Sequence, residues 1–453
     1  MFEEYISSRM GLLDTESAFR TLAKAKAFEA QGHSIIHMEI GQPDFPTPPN
    51  IIEAAYHAMK DGHTGYTPAP GYPEARRAVA EYAAKYKGVA ASMDDVIIVP
   101  GGKPTIFFAM QMLVENGDEV IYPNPSFPIY ESCIKYCGGV PVPIPLRADT
   151  DFRFDPDLVR RSITGKTKLL ILNNPCNPTG GVASRGDILA IADILAEHPG
   201  IFVLSDEMYD RLVYDDDDGD GSSSGSGVGS VGNGGTGGGG TGGVGGGGAD
   251  GAGCSTGGGA GGGAGGRGSA GGAINKVTSI ASVPGMKDRT IILDGLSKTY
   301  AMTGWRLGYG IMHPELVQQA ELLAVNSFSC ASAFTQIAAI EALQGPQDSV
   351  AEMLAEFRVR RDYLVAGLNA IGGIRCPMPR GAFYVFPDIA SFGISSEEFA
   401  DRLMVEGGVA ASPGASYGIY GEGHIRLSYA TSLENIKVAV ERIAAFAAAL
   451  AGR

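Results

Sequence analysis

Short apolar runs alternate with segments of helical periodicity along this chain. The apolar runs predict strands buried on both faces, and the segments between them predict helices. Strands are predicted at 96–99, 119–122, 168–172, 201–205 and 291–293, with helices at 104–115 and 184–197. This alternation is typical of an α/β fold in which a mostly parallel sheet is sandwiched by helices.

The chain after residue 313 mixes helices and strands without that regular alternation. Helices are predicted at 314–325, 332–344, 348–369, 395–406 and 433–451, and strands at 382–387 and 423–429. Before the parallel core, the pattern predicts helices at 15–31, 49–61 and 72–87 and a strand at 35–40. We therefore expect a large domain at 49–313 and a smaller α+β domain built from 1–48 together with 314–453.

Residues 215–272 interrupt the pattern. This segment opens with four aspartates and holds 31 of the chain's 66 glycines. It carries too little apolar surface to offset its ordering entropy, so we expect a glycine-rich disordered insert. The cost of closing a loop grows slowly with its length, and the core can therefore tolerate the insert.

Charge and cysteine content narrow the class of protein. The formal net charge of -15 disfavours nucleic-acid binding and attachment to an anionic membrane surface, and no apolar run approaches the length of a membrane span. The six cysteines are scattered without a CxxC pair, which favours a reducing compartment and predicts no metal site. No targeting signal is visible, so we expect a cytoplasmic protein, with an organellar location left open.

A lysine just after the predicted strand at 291–293 is the first candidate for chemistry. Lys298 is expected in a loop and stands among small residues, and an unpaired ammonium near a buried strand is costly to desolvate. One interpretation is a lysine whose head reaches solvent. The other is a desolvated amine that condenses with a carbonyl to form a Schiff base.

Glycines follow the strand at 96–99 and precede the helix at 104–115. The segment Gly101-Gly102-Lys103 places backbone amides at a helix start, which is where an anionic phosphate can be held. Glycine also serves turn geometry alone, so both interpretations stay open at this point.

Four more residues lie at the ends of predicted strands or within one. Phe127 lies in a loop after 119–122, Asn177 follows 168–172, and Asp206 follows 201–205. Side-chain packing, turn formation and helix capping are alternative explanations for these three. Arg426 stands in an otherwise apolar strand, which favours an anionic partner.

Several of these segments, taken in chain order, carry a family resemblance. They are Asn177-Pro178-Thr179-Gly180, Asp206-Glu207-Met208-Tyr209, Ser297-Lys298, Thr303-Gly304-Trp305-Arg306 and Arg426. Their order and spacing resemble the class I/II aminotransferases of fold type I, the aspartate aminotransferase family. The resemblance covers roughly residues 15–450 outside the glycine-rich tract.

The resemblance implies pyridoxal phosphate as the cofactor. Lys298 would form the Schiff base with the cofactor aldehyde, and the freed amine would then move the proton between the substrate's Cα and the cofactor's C4′. Asp206 would pair with the pyridine nitrogen and keep it protonated. Tyr209 and Asn177 would donate hydrogen bonds to the phenolate oxygen.

Further roles follow from the same resemblance. Phe127 would stack on the cofactor ring, at a position where many relatives carry tryptophan. The backbone amides of Gly102 and Lys103 would hold the phosphate together with Ser297 and Arg306. Tyr66 matches a tyrosine that reaches the phosphate of a neighbouring subunit, which implies a homodimer with composite active sites.

The implied substrates are an L-amino acid and a 2-oxo acid. Arg426 would bind the α-carboxylate, with Gly41 lining the pocket and Asn177 nearby. We expect a ping-pong transaminase, with aspartate or glutamate as the favoured amino acid. A β-lyase or related elimination on the same cofactor is the alternative. A regulator that binds the cofactor without turnover is disfavoured, because no DNA-binding segment precedes the core.

Overall fold

The computed structural model describes residues 5–13, 17–214 and 277–452. Its strands, in chain order, are β1 Ile36–His37, β2 Val96–Val99, β3 Glu119–Asn124, β4 Val140–Pro145, β5 Thr167–Asn173, β6 Phe202–Asp206, β7 Thr290–Gly295, β8 Gly308–Ile311, β9 Tyr384–Val385, β10 Val409–Ala410, β11 Ser412–Pro413 and β12 Ile425–Ser428. Each of the predicted strands therefore has a counterpart, and the predicted bounds at 382–387 and 423–429 were too long.

Seven of these strands form a central sheet in the order β2-β8-β7-β6-β5-β3-β4. From β4 to β7 in that order, neighbouring strands are parallel, whereas β8 is antiparallel to both β7 and β2. All residues of β2 and β7 are buried, as expected for apolar strands covered on both faces. Each fully buried Ile, Leu or Val side chain stabilises the sheet by roughly 1.5–3 kcal/mol. The predicted mostly parallel α/β sheet is confirmed.

The sequence pattern missed β4 and β8. Three prolines in β4 remove backbone donors and hide the strand, and proline is tolerated there because β4 lies at the edge of the sheet. Two glycines in β8 lower its β propensity, so this strand was also hidden in the sequence pattern. The antiparallel position of β8 therefore had no local sign in the sequence.

Thirteen α-helices lie in the described residues. They are α1 Ser17–Glu29, α2 Pro49–Lys60, α3 Pro73–Tyr82, α4 Lys103–Leu113, α5 Ile129–Tyr136, α6 Pro156–Ser162, α7 Arg185–Ala196, α8 Leu296–Thr299, α9 Pro314–Val325, α10 Ala333–Gln344, α11 Asp348–Asn369, α12 Ser396–Arg402 and α13 Leu433–Ala451. Proline in the first turn starts several of them, and α7 starts with a capping box between Ser184 and Asp187. Within these described helices, none is long and apolar enough to cross a membrane.

Three predictions of local structure, two helices and one loop, need correction. The helix predicted at 72–87 is α3 followed by a π-helical turn at Ala83–Lys87, and the helix at 395–406 is α12 followed by a similar turn at Leu403–Gly407. Lys298 was expected in a loop, but it lies in the single turn of α8. The short helices α5 and α6 were not predicted, because segments of two turns show little periodicity.

Smaller sheets lie outside the central one. A three-stranded antiparallel sheet has the order β11-β12-β9, and β1 pairs in parallel with β10. The pairing of β1 with β10 brings the N-terminal segment to the C-terminal part of the chain. The domain bounds 49–313 and 1–48 plus 314–453 stay a prediction. The whole of the predicted insert at 215–272 lies outside the described residues, as do residues 273–276.

Candidate active site

The carboxyl ends of β5, β6 and β7 meet at one edge of the sheet because the three strands are parallel. Asn173 pairs with Asp206 across β5 and β6, and Asp206 pairs with Leu293 across β6 and β7. The loop that carries Asn177 and the turn that carries Lys298 follow directly from these ends. Strand register thus brings together residues that lie more than a hundred positions apart.

A cavity of about 540 Å³ opens at this edge. Eleven of the twelve site residues predicted from the sequence line it: Gly41, Gly102, Lys103, Phe127, Asn177, Asp206, Tyr209, Ser297, Lys298, Arg306 and Arg426. The twelfth, Tyr66, is not among the lining residues and its surface is 92% exposed. A cavity of this size suits a small ligand with a few convergent polar groups.

The Lys298 side chain enters the cavity from α8, directly after β7. Its Nζ donates a hydrogen bond to the carbonyl oxygen of Gly41 and lies 5.8 Å from the centre of the Phe383 ring. The strand before it is fully buried, so the position of the turn is fixed by the sheet. The amine is therefore held within the cavity, beside the segment that carries Gly41.

Asp206 lies at the end of β6 and is almost fully buried. Its Oδ2 accepts a hydrogen bond from the Tyr130 hydroxyl at 2.5 Å, and its Oδ1 accepts one from the Met208 amide at 3.2 Å. Burial raises the pKa of Asp206 to about 6, against the lowering effect of these two hydrogen bonds. A carboxylate kept in such a place favours a cationic partner in the cavity.

Two tyrosines meet beside Asn177 and Arg426. The hydroxyl oxygens of Tyr209 and Tyr384 are 2.8 Å apart, and burial holds the pKa of Tyr209 well above its usual range, so that it stays a neutral donor or acceptor. A Cβ atom at Gly41 would lie 2.1 Å from the Tyr384 hydroxyl oxygen. Gly41 therefore permits the close approach of β9 to the cavity wall.

Arg426 projects from β12 and is 4% exposed. Its guanidinium lies 4.5 Å from the ring centre of Tyr384 and 5.0 Å from that of Tyr417. Its Nη1 donates to Asn177 Oδ1 at 3.0 Å, and its Nη2 donates to the carbonyl oxygen of Glu39. This fixed, buried guanidinium is suited to bidentate binding of a carboxylate.

One end of the cavity collects groups that bind anions. The helix α4 starts at Lys103, so the amides of Gly102 and Lys103 are at its N-terminus, and Ser297 lies in the first turn of α8. Backbone amides at a helix start favour a phosphate group. The Lys103 Nζ lies 5.8 Å from the centre of the Phe127 ring, which places both side chains on the same wall.

Arg306 is held at this end by an unusual backbone conformation. Its φ of 52° is left-handed, and its Nη1 donates to the Thr303 carbonyl oxygen at 2.8 Å. A Cβ atom at Gly101, whose φ is +80°, would lie 2.1 Å from Arg306 Nη2. The loop before α4 and the Arg306 guanidinium are thus in close contact, and only glycine fits between them.

The sequence assigned no role to Tyr130 or Tyr384, although both line the cavity. Tyr130 lies three residues after Phe127. Its hydrogen bond to Asp206 joins α5 to β6, and nothing in the sequence around Tyr130 indicates that bond. Tyr384 lay inside the predicted strand at 382–387, where an aromatic residue is ordinary.

The chain is similar to known proteins over nearly its whole length. The sequence profile of the family described as aminotransferase class I and II matches residues 33–225 and 262–443. The chain is 31% identical to the aspartate aminotransferase of Rhizobium meliloti, covering 97% of this chain and 95% of the relative. It is 33% identical to the aspartate/prephenate aminotransferase of Cereibacter sphaeroides, covering 98% and 99%. The structure of aspartate aminotransferase from Thermus thermophilus with maleate is similar, with a TM-score of 0.81, 31% identity and coverage of 97% and 99%.

Proposed function

We propose that this chain, which belongs to the class I and II aminotransferases, transfers the amino group of aspartate or glutamate to a 2-oxo acid. It is a transaminase that depends on pyridoxal phosphate, as the named relatives over nearly its full length support. The identity of the amino donor is the finer proposal. The observation that carries it is that several relatives covering nearly the whole chain are named aspartate aminotransferases.

Four cationic side chains line the cavity, against one carboxylate among the described residues. The cations are Lys103, Lys298, Arg306 and Arg426, and the carboxylate is Asp206. A phosphate dianion and an α-carboxylate together offset Lys103, Arg306 and Arg426, while Lys298 is the amine that reacts, so the charge of the cavity supports an anionic cofactor and a carboxylate substrate. Maleate, present in the similar Thermus structure, is a dicarboxylate, which supports a donor with a second carboxylate.

The residues of the cavity fit pyridoxal phosphate. We infer that Asp206 pairs with the ring nitrogen, because a buried carboxylate calls for a cation. Tyr209 and Asn177 donate to the phenolate oxygen, and the amide nitrogen of Asn177 is suited to this since its oxygen accepts from Arg426. Phe127 covers one face of the ring. The amides of Gly102 and Lys103 with Ser297 and Arg306 hold the phosphate.

The proposed work of this chain's residues is to bind the substrate and to move one proton. When bound, the cofactor supplies an electron sink conjugated with the substrate's nitrogen. Arg426 and Asn177 hold the α-carboxylate, and Gly41 leaves room for it. Lys298 Nζ removes the proton from the substrate's Cα and later returns one, as the general base and then the general acid.

The active unit is proposed to be a homodimer with composite sites. Tyr66 is exposed in the single chain, and a large exposed aromatic suits a position that a second copy covers. We place the enzyme in the cytoplasm, in line with its bacterial and archaeal relatives. An elimination reaction is not favoured by the comparisons, because the relatives are named as aminotransferases.

A donor panel with a lysine variant tests the proposal. Wild-type protein with pyridoxal phosphate is assayed with aspartate, glutamate, alanine and phenylalanine against 2-oxo acids. We expect kcat/KM to be highest for the dicarboxylic donors, and Lys298→Ala to reduce turnover by roughly 10³-fold or more. Lys437→Ala, at an exposed lysine of α13, is the matched control. Full activity of Lys298→Ala would refute the assignment, and release of ammonia and keto acid without an acceptor would point to elimination instead.

A further inference from the structure

One ammonium and three carboxylates form a buried cluster next to the active-site segments. Lys87 Nζ lies 2.5 Å from Asp210 Oδ2, 2.9 Å from Asp294 Oδ2 and 3.1 Å from Glu207 Oε2. The Lys87 side chain is 2% exposed, and its carboxylate partners are 2% to 7% exposed. These four side chains do not line the cavity, so the proposed reaction makes no direct use of them.

The cluster is attached to the strands that carry the catalytic groups. Glu207 follows Asp206 directly, and Asp294 precedes Lys298 by four residues at the end of β7. The Glu207 amide donates to the Leu293 carbonyl oxygen at 2.8 Å, which joins the ends of β6 and β7. Lys87 itself comes from the π-helical turn after α3 and so brings a third element to this place.

Neutral donors support two of the three carboxylates of the cluster, Glu207 and Asp294. Ser205 and Ser279 each donate a hydroxyl hydrogen bond to Glu207 Oε1, at 2.8 and 2.6 Å. The Tyr309 hydroxyl donates to Asp294 Oδ2 at 2.8 Å. These hydrogen bonds hold the carboxylate groups of Glu207 and Asp294 at fixed positions.

Charge in the cluster is unbalanced, with three carboxylates around one ammonium. Burial would lower the pKa of Lys87, but Asp210, Asp294 and Glu207 outweigh it and hold that pKa well above its usual range. Burial and the negative neighbour Asp210 raise the pKa of Asp294 to about 7, against the lowering effect of Lys87. The other titratable or charged groups that face the cluster include Asp206, Tyr82, Tyr300, Tyr309 and Arg211.

We propose that Lys87 is a positioning residue of the active site, which offsets the negative charge beside Asp206 and Lys298 and fixes the ends of β6 and β7. This inference rests on the proposed function. Lys87 acts through the strand ends and through the electrostatic potential, without touching substrate or cofactor. The net charge of the cluster then sets how easily the nitrogen contributed by Lys298 is protonated when the cofactor is bound.

The sign of the effect follows from electrostatics. Lys87→Met removes a positive charge, and Asp294, whose pKa Lys87 lowers, takes up a proton in part, so that the net change near Lys298 is less than one negative charge but still favours the protonated nitrogen. Asp294→Asn removes a negative charge and has the opposite effect above neutral pH. Each change is expected to move the pH midpoint of the bound cofactor's visible absorbance by roughly 0.5 to 1 unit, upward for Lys87→Met and downward for Asp294→Asn.

The experiment is a spectral pH titration of the holoenzyme, with thermal melting to show that each variant is folded. Lys85→Met is the matched control, because Lys85 lies on the same π-helical turn but is exposed. The double variant Lys87→Met/Asp294→Asn is expected to return the midpoint towards the wild-type value, which a purely structural defect would not do. A folded Lys87→Met protein with an unchanged or lowered midpoint would overturn the proposal.

A failure of Lys87→Met to fold still leaves a decisive variant. Asn in place of Asp294 keeps its shape, and the lowered midpoint expected of Asp294→Asn then supports the proposal alone. An unchanged or raised midpoint in that variant overturns it. Transamination by the wild-type protein is measured separately, so that a failure of the proposed function is distinguished from a failure of this inference.

Discussion

Arg426 and Asn177 contact each other in the wall of the cavity, with Arg426 Nη1 donating to Asn177 Oδ1 at 3.0 Å. The contact joins β12 to the loop after β5, and it orients the guanidinium before any substrate arrives. The rings of Tyr384 and Tyr417 lie close to the same guanidinium and limit its movement. A preorganised cation of this kind binds a carboxylate with little loss of side-chain entropy.

Replacing Arg426 by Gln is therefore expected to weaken substrate binding strongly. Loss of a charge-assisted, bidentate contact should raise the KM for aspartate by roughly 10²-fold, with a smaller effect on kcat. Steady-state kinetics with aspartate and glutamate measure the change, and Arg358→Gln, at an exposed arginine of α11, is the control. A KM within twofold of wild type would contradict the assigned role of Arg426.

The negative charge of Asp206 is expected to reduce the free energy of unfolding of the protein when no cofactor is bound. Its folded pKa of about 6 lies above the usual value of 3.8, so the folded chain binds the proton more tightly than the unfolded chain. The contribution of this group to the free energy of unfolding is therefore fully present below pH 3.8 and is lost as the pH rises from 3.8 through about 6. Asp206→Asn should raise the free energy of unfolding of the apoprotein by about 3 kcal/mol at pH 8 and by about half of that at pH 5.

Chemical denaturation of the apoproteins at the two pH values measures this difference. Asp193→Asn, at an exposed aspartate of α7, should leave stability nearly unchanged at both. In the presence of cofactor the same Asp206→Asn variant should lose activity, because its side chain no longer carries the charge that faces the ring nitrogen. Equal stabilisation at both pH values would contradict the role of the Asp206 charge.

The residues that could be found from the sequence are those whose neighbours along the chain are distinctive. Lys298, Asp206 and Arg426 each follow or occupy an apolar strand where a charged residue is costly. The order of the motifs around these residues then indicated the family, and with it the cofactor and the type of reaction. Parallel strands place their carboxyl ends at one edge, which accounts for the approach of Asp206 and Lys298, whereas Arg426 comes from the separate antiparallel sheet.

Other parts of the site depend on contacts between distant segments. Tyr384 reaches Tyr209 from a strand 175 residues later, and Lys87 reaches Asp210 over 123 residues. Neither tyrosine nor lysine is unusual in its own local sequence. The sequence also did not predict β8, because its glycines hide a strand that the sheet accommodates between β7 and β2.

A methyl group at Gly101 is expected to disturb the phosphate end of the cavity. The added Cβ of Gly101→Ala would lie 2.1 Å from Arg306 Nη2, so the guanidinium must move. The affinity for pyridoxal phosphate should fall by roughly 10-fold or more, since a charge-assisted hydrogen bond contributes about 1.5–3 kcal/mol. Cofactor titration followed by absorbance measures it.

Backbone strain is a separate consequence of the same substitution, and Gly285→Ala controls for it. Gly285 has a φ of +81°, close to the +80° of Gly101, but a Cβ there would have no neighbour within 4 Å. Both variants should lose about 1 kcal/mol of stability from the left-handed conformation. Only Gly101→Ala should lose cofactor affinity, and equal loss in both would show that strain alone is responsible.

Tyr66 allows the proposed composite site to be tested with hybrid dimers. If Tyr66 serves the site of the neighbouring subunit, Tyr66→Ala damages the neighbouring subunit's site, whereas Lys298→Ala damages the site of its own subunit. A hybrid dimer of the two variants then has one intact site and one site with both changes. Mixing and reassembling the two variants should restore about a quarter of the wild-type specific activity, since half of the dimers are hybrids with one working site each. The variants alone set the baseline, and size-exclusion chromatography verifies that they are dimers. Activity no higher than the mean of the two variants would show that Tyr66 acts within its own subunit or has no part in the site.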